Sequence, residues 1–210
     1  MITAEELAAR WGGHVPGPMD ARRRYAVLCP LAERPEGLSF IFETRAAGLN
    51  RQPGETCFPG GRARPGESAP DCALRETWEE LAIPLEHIRL LGTPDFLLTQ
   101  AGDLIQPVIG LVDAAGAAAL RPAPAETAEA FFVPAEFFRS TPPELCAYEL
   151  KAAVPEDFPY ESVGIGRDYP WARGRVEVPV WHFGGRAIWG ITARIIRAVL
   201  EETDWAAERG

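Results

Sequence analysis

Four glutamates and one arginine crowd a short stretch of this chain: Glu67, Arg75, Glu76, Glu79 and Glu80, between Gly61 and Ile83. On a helix, Glu76 and Glu80 form an i,i+4 pair of like charges, unfavourable by roughly 0.2–0.5 kcal/mol. No Lys or Arg follows at helical spacing to relieve them. A solvated acidic face is the ordinary outcome for a Glu-rich helix. Here a hard divalent cation accounts better for the crowding, because Mg²⁺ and Mn²⁺ bind through carboxylate oxygens and convert repulsion into coordination. Gly60 and Gly61, just upstream, allow backbone atoms to approach a ligand closely.

The elements that must position these groups follow from pattern. Ser68 is a helix N-cap, Asp71 completes a capping box, and Pro70 is tolerated in the first turn, predicting a helix over 69–82 that Pro84 stops. At about 100° per residue, Leu74, Trp78 and Leu81 project to one side as the packing face, and Glu76, Glu79 and Glu80 to nearly the opposite side. Upstream, "RYAVLCPLA" (24–32) and "GLSFIFETR" (37–45) read as strands around a Pro/Gly turn. A long connection, "AAGLNRQPGETCFPGG", follows, and connections of this length inside compact domains are often functional.

Further strands are expected at 88–98, 105–112 and 129–133, the last two joined by the Ala/Pro-rich "AAGAAALRPAPAETAE" as a flexible connector. Short helices at 4–11 and 134–139, a strand at 177–183 and a helix at 189–203 complete the pattern. In that last helix Ile191, Ile195, Ile196 and Val199 form a core-packing side. Residues 140–177, rich in Pro, Gly and aromatics, carry no assignable element and stand as a lid or insertion. No internal repeat is present, so residues 1–210 read as a single domain.

Bulk properties narrow the function classes. With 210 residues, 47% hydrophobic and 24% charged, the chain can bury a substantial core. A net charge of −9 argues against a binder of nucleic acid or anionic membranes, which needs excess basic surface. Cys29, Cys57, Cys72 and Cys146 show no CxxC pair and no nearby histidine at zinc-finger spacing, so they read as free thiols in a reducing compartment. The start "MITAEELAARWGG" does not read as a signal peptide, and no segment approaches the ~18 apolar residues of a membrane span. A cytoplasmic location is expected.

Gly61, Glu67, Arg75, Glu76, Glu79, Glu80 and Ile83 match G-x5-E-x7-R-E-U-x-E-E-x-G-U, where U is a bulky apolar residue, so 61–83 resembles the Nudix box. Thr77 replaces the first U. Ala82 replaces the second Gly, at a cost of about 1 kcal/mol if the helix ends in a left-handed residue. The resemblance implies an α/β fold, the Nudix α/β/α sandwich with a mixed β-sheet, and a hydrolase of a nucleoside diphosphate linked to another group. It also implies that Glu76, Glu79, Glu80 and the Gly61 carbonyl hold Mg²⁺ or Mn²⁺, with Glu67 in the outer shell or reaching a second ion. Arg75 would orient a glutamate.

The stretch before the box is similar to that of coenzyme A pyrophosphatases, T-x-R-S-x-x-L-R-x-H-x-G-x-x-x-F-P-G-G. Arg45, Leu49, Gly54, Phe58, Pro59, Gly60 and Gly61 match, with Ala46 a small residue in place of Ser. Glu43, Asn50 and Gln52 depart, and Arg51 stands beside the missing guanidinium of position 50. "AIWGITARII" (187–196) also resembles the start of that subfamily's C-terminal helix.

The expected reaction is therefore metal-dependent attack of water on the diphosphate of coenzyme A or a derivative, giving 3′,5′-ADP and 4′-phosphopantetheine, with Glu76 or Glu79 as base. Arg45, Arg51, Gly54, Phe58 and Gly60 are the expected substrate contacts. Arg62 and Arg64 are weaker candidates, as are Glu126 and Glu129 for an extra base and Tyr160, Tyr169 and Trp171 for stacking on adenine. His14, His87 and His182 read as structural. The partner is a small molecule, and a homodimer stays open. The alternatives are a Nudix hydrolase of ADP-ribose, NADH or nucleoside triphosphates, and a non-catalytic ligand-sensing domain.

Overall fold

A computed structural model describes residues 2–14, 17–19 and 21–200. The chain opens with α1 (Ala4–Trp11), held by a reciprocal capping box between Thr3 and Glu6 and burying none of its residues. Two long apolar strands follow, β1 (Arg23–Arg34) and β2 (Gly37–Arg45), paired antiparallel through the turn at 35–36. Short strands β3 (Thr56–Cys57) and β4 (Gly60–Arg62) close the long connection and lead into α2 (Ala69–Leu81). Next come β5 (Ile88–Gly92), β6 (Leu97–Leu98), β7 (Asp103–Val112), α3 (Ala114–Ala119), β8 (Thr127–Pro134) and α4 (Ala135–Ser140). A second sheet and the last helix finish the fold: β9 (Glu144–Leu150), β10 (Gly174–Phe183), β11 (Arg186–Trp189) and α5 (Gly190–Leu200).

The main sheet is mixed. Its spine runs β3-β2-β1-β7-β5, with β1 and β7 parallel and the other pairs antiparallel; β8 pairs with β2, β4 with β1 and β6 with β7. Period-two alternation divides its side chains between two cores. Ala26, Leu28 and Ile41 face Cys72, Ala73 and Leu81 of α2, while Cys29, Leu31, Phe40 and Phe42 face Phe138 of α4, Trp181, Ile188 and α5. Helices thus cover both faces, the α/β/α arrangement that the sequence implied, with the three-stranded sheet β11-β10-β9 added on the α5 side. Among the described residues no helix is long and apolar enough to cross a membrane.

Several expected features are corrected. The Ala/Pro-rich connector holds a helix, α3, because Asp113 accepts a hydrogen bond from the Gly116 amide and caps it. The strand expected over 88–98 breaks into β5 and β6 around Pro94, which has no amide to pair. Residues 140–177 contain β9 and the start of β10, whose pairing depends on partners distant in sequence. Helix α5 starts at Gly190, and residues 201–203 of the expected helix lie outside the described residues.

Helix α2 also packs in a different register from the one expected. Trp78 is 56% exposed, whereas Thr77 and Glu80 are buried with Cys72, Ala73 and Leu81. Thr77 is accommodated because its hydroxyl donates to the Ala73 carbonyl at 2.7 Å. Ser68 caps the helix by accepting from the Asp71 amide at 3.2 Å, but the Asp71 carboxylate returns to the Ser68 hydroxyl rather than to its amide.

At its C-terminus α2 ends on Ala82 in the left-handed region, φ 53° and ψ 26°. A side chain there costs about 1 kcal/mol relative to glycine. Ala82→Gly is expected to raise the melting temperature by about 2–4 °C in a domain of this size, measured by calorimetry.

Candidate active site

The site is built where β4 runs into α2. Gly60 must be glycine because β4 lies against β1: a Cβ there would stand 2.5 Å from the Ala26 carbonyl oxygen and 2.6 Å from the Val27 Cα. Gly61 must be glycine because a Cβ would stand 2.4 Å from the Glu76 carboxyl. The acidic face of α2 therefore rests directly on bare backbone.

Arg75 organises that face. Its Nε and Nη2 donate to the two oxygens of Glu67 at 2.8 and 3.0 Å, and its Nη1 donates to Glu76 at 2.7 Å and to Glu79 at 2.9 Å. Glu67 also accepts from the Arg64 amide at 2.7 Å, and the Arg75 guanidinium holds its carboxyl down to about 2. Arg64 reaches Glu79 at 3.3 Å, and Arg62 offers its carbonyl to Arg75. Two of the three glutamates of α2 thus meet on one nitrogen. The third, Glu80, turns inward and accepts from the Gly60 amide at 2.8 Å.

Beneath the face lies a carboxylate that the sequence reading passed over as a departure from pattern. Glu43, 1% exposed, accepts from the Thr127 hydroxyl at 2.9 Å and from the Cys57 thiol at 3.4 Å. Alternation along β2 sends it to the α2 side, opposite to Phe42. An acidic residue in the run "FIFE" was the available signal. Burial, then the charge of Glu43, pushes Glu80 up to about 9; burial likewise raises Glu43 and Glu76. Glu126 raises all three further, while Glu129 is taken by Arg186.

Beside this face a cavity of about 510 Å³ opens. Arg45, Arg51, Phe58, Gly60 and Gly61 line it, and Gly54 does not. Gly54 instead makes the turn, with φ 75° and its amide donating to the Arg45 carbonyl at 3.0 Å. Phe58 is also core, stacked on Phe42 at 4.7 Å. Tyr160, Tyr169 and Trp171 pack with Phe158 in a cluster of their own away from the cavity. The cavity's other wall, with Tyr148, Trp189 and Arg194, was missed because it depends on the second sheet. Of the histidines, His87 bonds Asp113 at 3.0 Å and His14 packs edge-on to Trp11.

The donor set suits a hard divalent cation: carboxylates, partly buried, with Arg75 and Arg64 as their cationic partners, and seated on a glycine backbone whose carbonyl takes a contact from the Cys72 thiol at 3.6 Å. Among the described residues no three carboxylates are gathered at single-ion distance, since Arg75 and the Gly60 amide hold them. A cation and Arg75 would compete for Glu76 and Glu79.

A carboxyl whose folded pKa is raised keeps a proton that the unfolded chain has lost, so folded stability falls as pH rises between the two values. For Glu80 that window runs from its ordinary 4.5 to about 9. The cation-free protein is expected to lose thermal stability between about pH 6 and about pH 9. Glu80→Gln, which still accepts from Gly60, should flatten that loss, as followed by circular dichroism.

A profile of the NUDIX domain matches residues 22–150. Over 184 residues the chain is 31% identical to a Nudix hydrolase called NudL from Pectobacterium atrosepticum, covering 85% of this chain and 82% of that protein. It is 34% identical over 94 residues to Nudix hydrolase 3 of Caenorhabditis elegans, covering 44% and 39% of the two chains. Among solved structures, a Nudix hydrolase from M. Smegmatis, RenU, superposes with a TM-score of 0.46 at 23% identity, over 57% of this chain and 74% of that one. With the profile spanning more than half of its length and NudL matched along most of both chains, this chain belongs to the Nudix hydrolase family and is a diphosphate hydrolase.

Proposed function

We propose that the protein hydrolyses the diphosphate bond of coenzyme A or its derivatives. The observation that carries this reading is the fate of the segment before the box. Arg45, Arg51, Phe58, Gly60 and Gly61, scattered over a long connection, become one wall of a single cavity bordering the glutamates. A cavity of this volume falls within the range of sites for small molecules and cofactors.

In this reading Glu76, Glu79, Glu80 and the Gly61 carbonyl hold Mg²⁺ or Mn²⁺, with Glu67 behind them. When bound, the cation supplies Lewis acidity that offsets the charge of the diphosphate oxygens and eases deprotonation of water. The chain's own residues do the rest. Arg45 and Arg51 hold phosphate oxygens at the cavity wall. Arg75 fixes the orientation of Glu76 and Glu79, one of which takes the proton of the attacking water. The water oxygen bonds to one phosphorus, the bridging P–O bond breaks, and the electron pair leaves with the departing phosphate, giving 3′,5′-ADP and 4′-phosphopantetheine. The free thiols, Cys146 among them exposed, fit a reducing compartment such as the cytoplasm.

The reading predicts that, in a panel of coenzyme A, ADP-ribose, NADH and nucleoside triphosphates with Mg²⁺, coenzyme A has the highest kcat/KM by product analysis. A clear preference for ADP-ribose would overturn it. Glu79→Gln is expected to lower kcat for coenzyme A by roughly 10²–10⁴-fold; turnover near the wild-type rate would refute the assignment of catalysis to this face.

A further inference from the structure

The cavity has a second wall that the proposed reaction leaves unused. Tyr148 on β9, Val176 and Val178 on β10, Trp189 on β11, and Ile191 and Arg194 on α5 line the same cavity as Arg45 and Arg51. Tyr148 and Trp189 are 47% and 43% exposed, large rings left open on the wall of a concave site. In a chain of net charge −9, Arg51 and Arg194 have no ion-pair partner among the described residues.

Three carboxylates line the same space, and two of them are paired with an arginine. Asp103 accepts both nitrogens of Arg23 at 2.6 and 2.8 Å, Glu55 accepts from Gln52 at 3.1 Å, and Glu177 lies 3.9 Å from Arg197. The wall therefore offers the Arg194 guanidinium together with two open aromatic rings. A half-buried guanidinium beside apolar neighbours gains most from an anion that meets its planar donors, and phosphate oxygens fit that fork. Open rings take the face of a heterocyclic base. A neutral chain such as pantetheine needs neither feature.

We propose that Arg194, with Trp189 and Tyr148, forms a specificity subsite for the nucleotide end of the substrate. Arg194 binds a phosphate monoester separate from the scissile diphosphate, and the rings take the base. This rests on the reading of the substrate as a coenzyme A derivative, whose nucleotide carries such a phosphate. It orients the substrate, with the nucleotide against the second sheet and the diphosphate at Gly60–Gly61. The subsite discriminates between substrates and takes no part in bond breaking.

Binding and turnover test it separately on the full chain. By titration calorimetry the wild type is expected to bind 3′,5′-ADP at least about tenfold more tightly than 5′-AMP, a difference of ~1.4 kcal/mol. Arg194→Gln should bring the ratio close to one, and Arg194→Lys should keep part of it. In turnover, Arg194→Gln should raise KM for coenzyme A about tenfold more than for dephospho-coenzyme A, a charge-assisted hydrogen bond's worth. Trp189→Leu, which keeps the guanidinium, should weaken both nucleotides alike.

A wild type that does not distinguish the two nucleotides, an Arg194→Gln protein that keeps the ratio, or a Trp189→Leu protein with unchanged affinities would overturn the subsite. If coenzyme A is not hydrolysed yet the binding ratio exists and collapses in Arg194→Gln, the proposed reaction fails while the subsite stands. If coenzyme A is hydrolysed and the ratio is absent, the opposite holds.

Discussion

One guanidinium makes the acidic face of α2 possible. Arg75 bonds Glu67, Glu76 and Glu79 together, so carboxylates that repel one another share a single delocalised cation. The same group ties the loop carrying Glu67 to the helix and reaches the Arg62 carbonyl at the end of β4. A lysine, a compact charge without the planar fork, lacks the geometry to satisfy all these acceptors at once. Loop, strand end and helix face are therefore one electrostatic unit. Glu80 and Glu43 lie behind it, buried out of Arg75's reach and correspondingly reluctant to ionise.

The main sheet separates two tasks. Its α2 side is polar at one end, where Glu43, Glu80 and Thr127 interrupt an otherwise apolar core. Its other side is strongly aromatic, with Phe40, Phe42, Phe58 and Phe138 packed ring against ring under Trp181. The aromatic side holds the second sheet and α5 in place, and the cavity opens where that assembly meets Gly60 and Gly61. Packing on one face thus supplies a cavity wall next to the acidic residues of the other.

What was legible in the sequence was what local rules govern. The strand at 37–45 and the helix beginning at Ala69 follow from alternation and from the Ser68 cap. The left-handed end of α2 at Ala82 follows from the position at which the Nudix pattern has glycine. Long-range pairing was not legible. Strand β9 has no buried residue and is defined by its register against β10, some thirty positions away. The orientation of α2 was misjudged because Trp78 outranks Thr77 in hydrophobicity, whereas close approach to β1 favours small residues, Ala73 and Thr77, at the contact. Glu43 was visible only as an oddity, since its meaning depends on Thr127, which pairs across the sheet from a distant strand.

The parallel pairing of β1 with β7 has a consequence for biosynthesis. Arg23 aligns with Asp103, Ala32 with Val112, and no tight turn can join parallel strands. While a ribosome is still adding the residues of β7, the acidic helix and β1 beneath it have been made but Val108 and Val112, which complete that core, have not. The nascent chain thus passes through a period in which its most highly charged element has only part of its seat, and closing so long a loop makes that step slow.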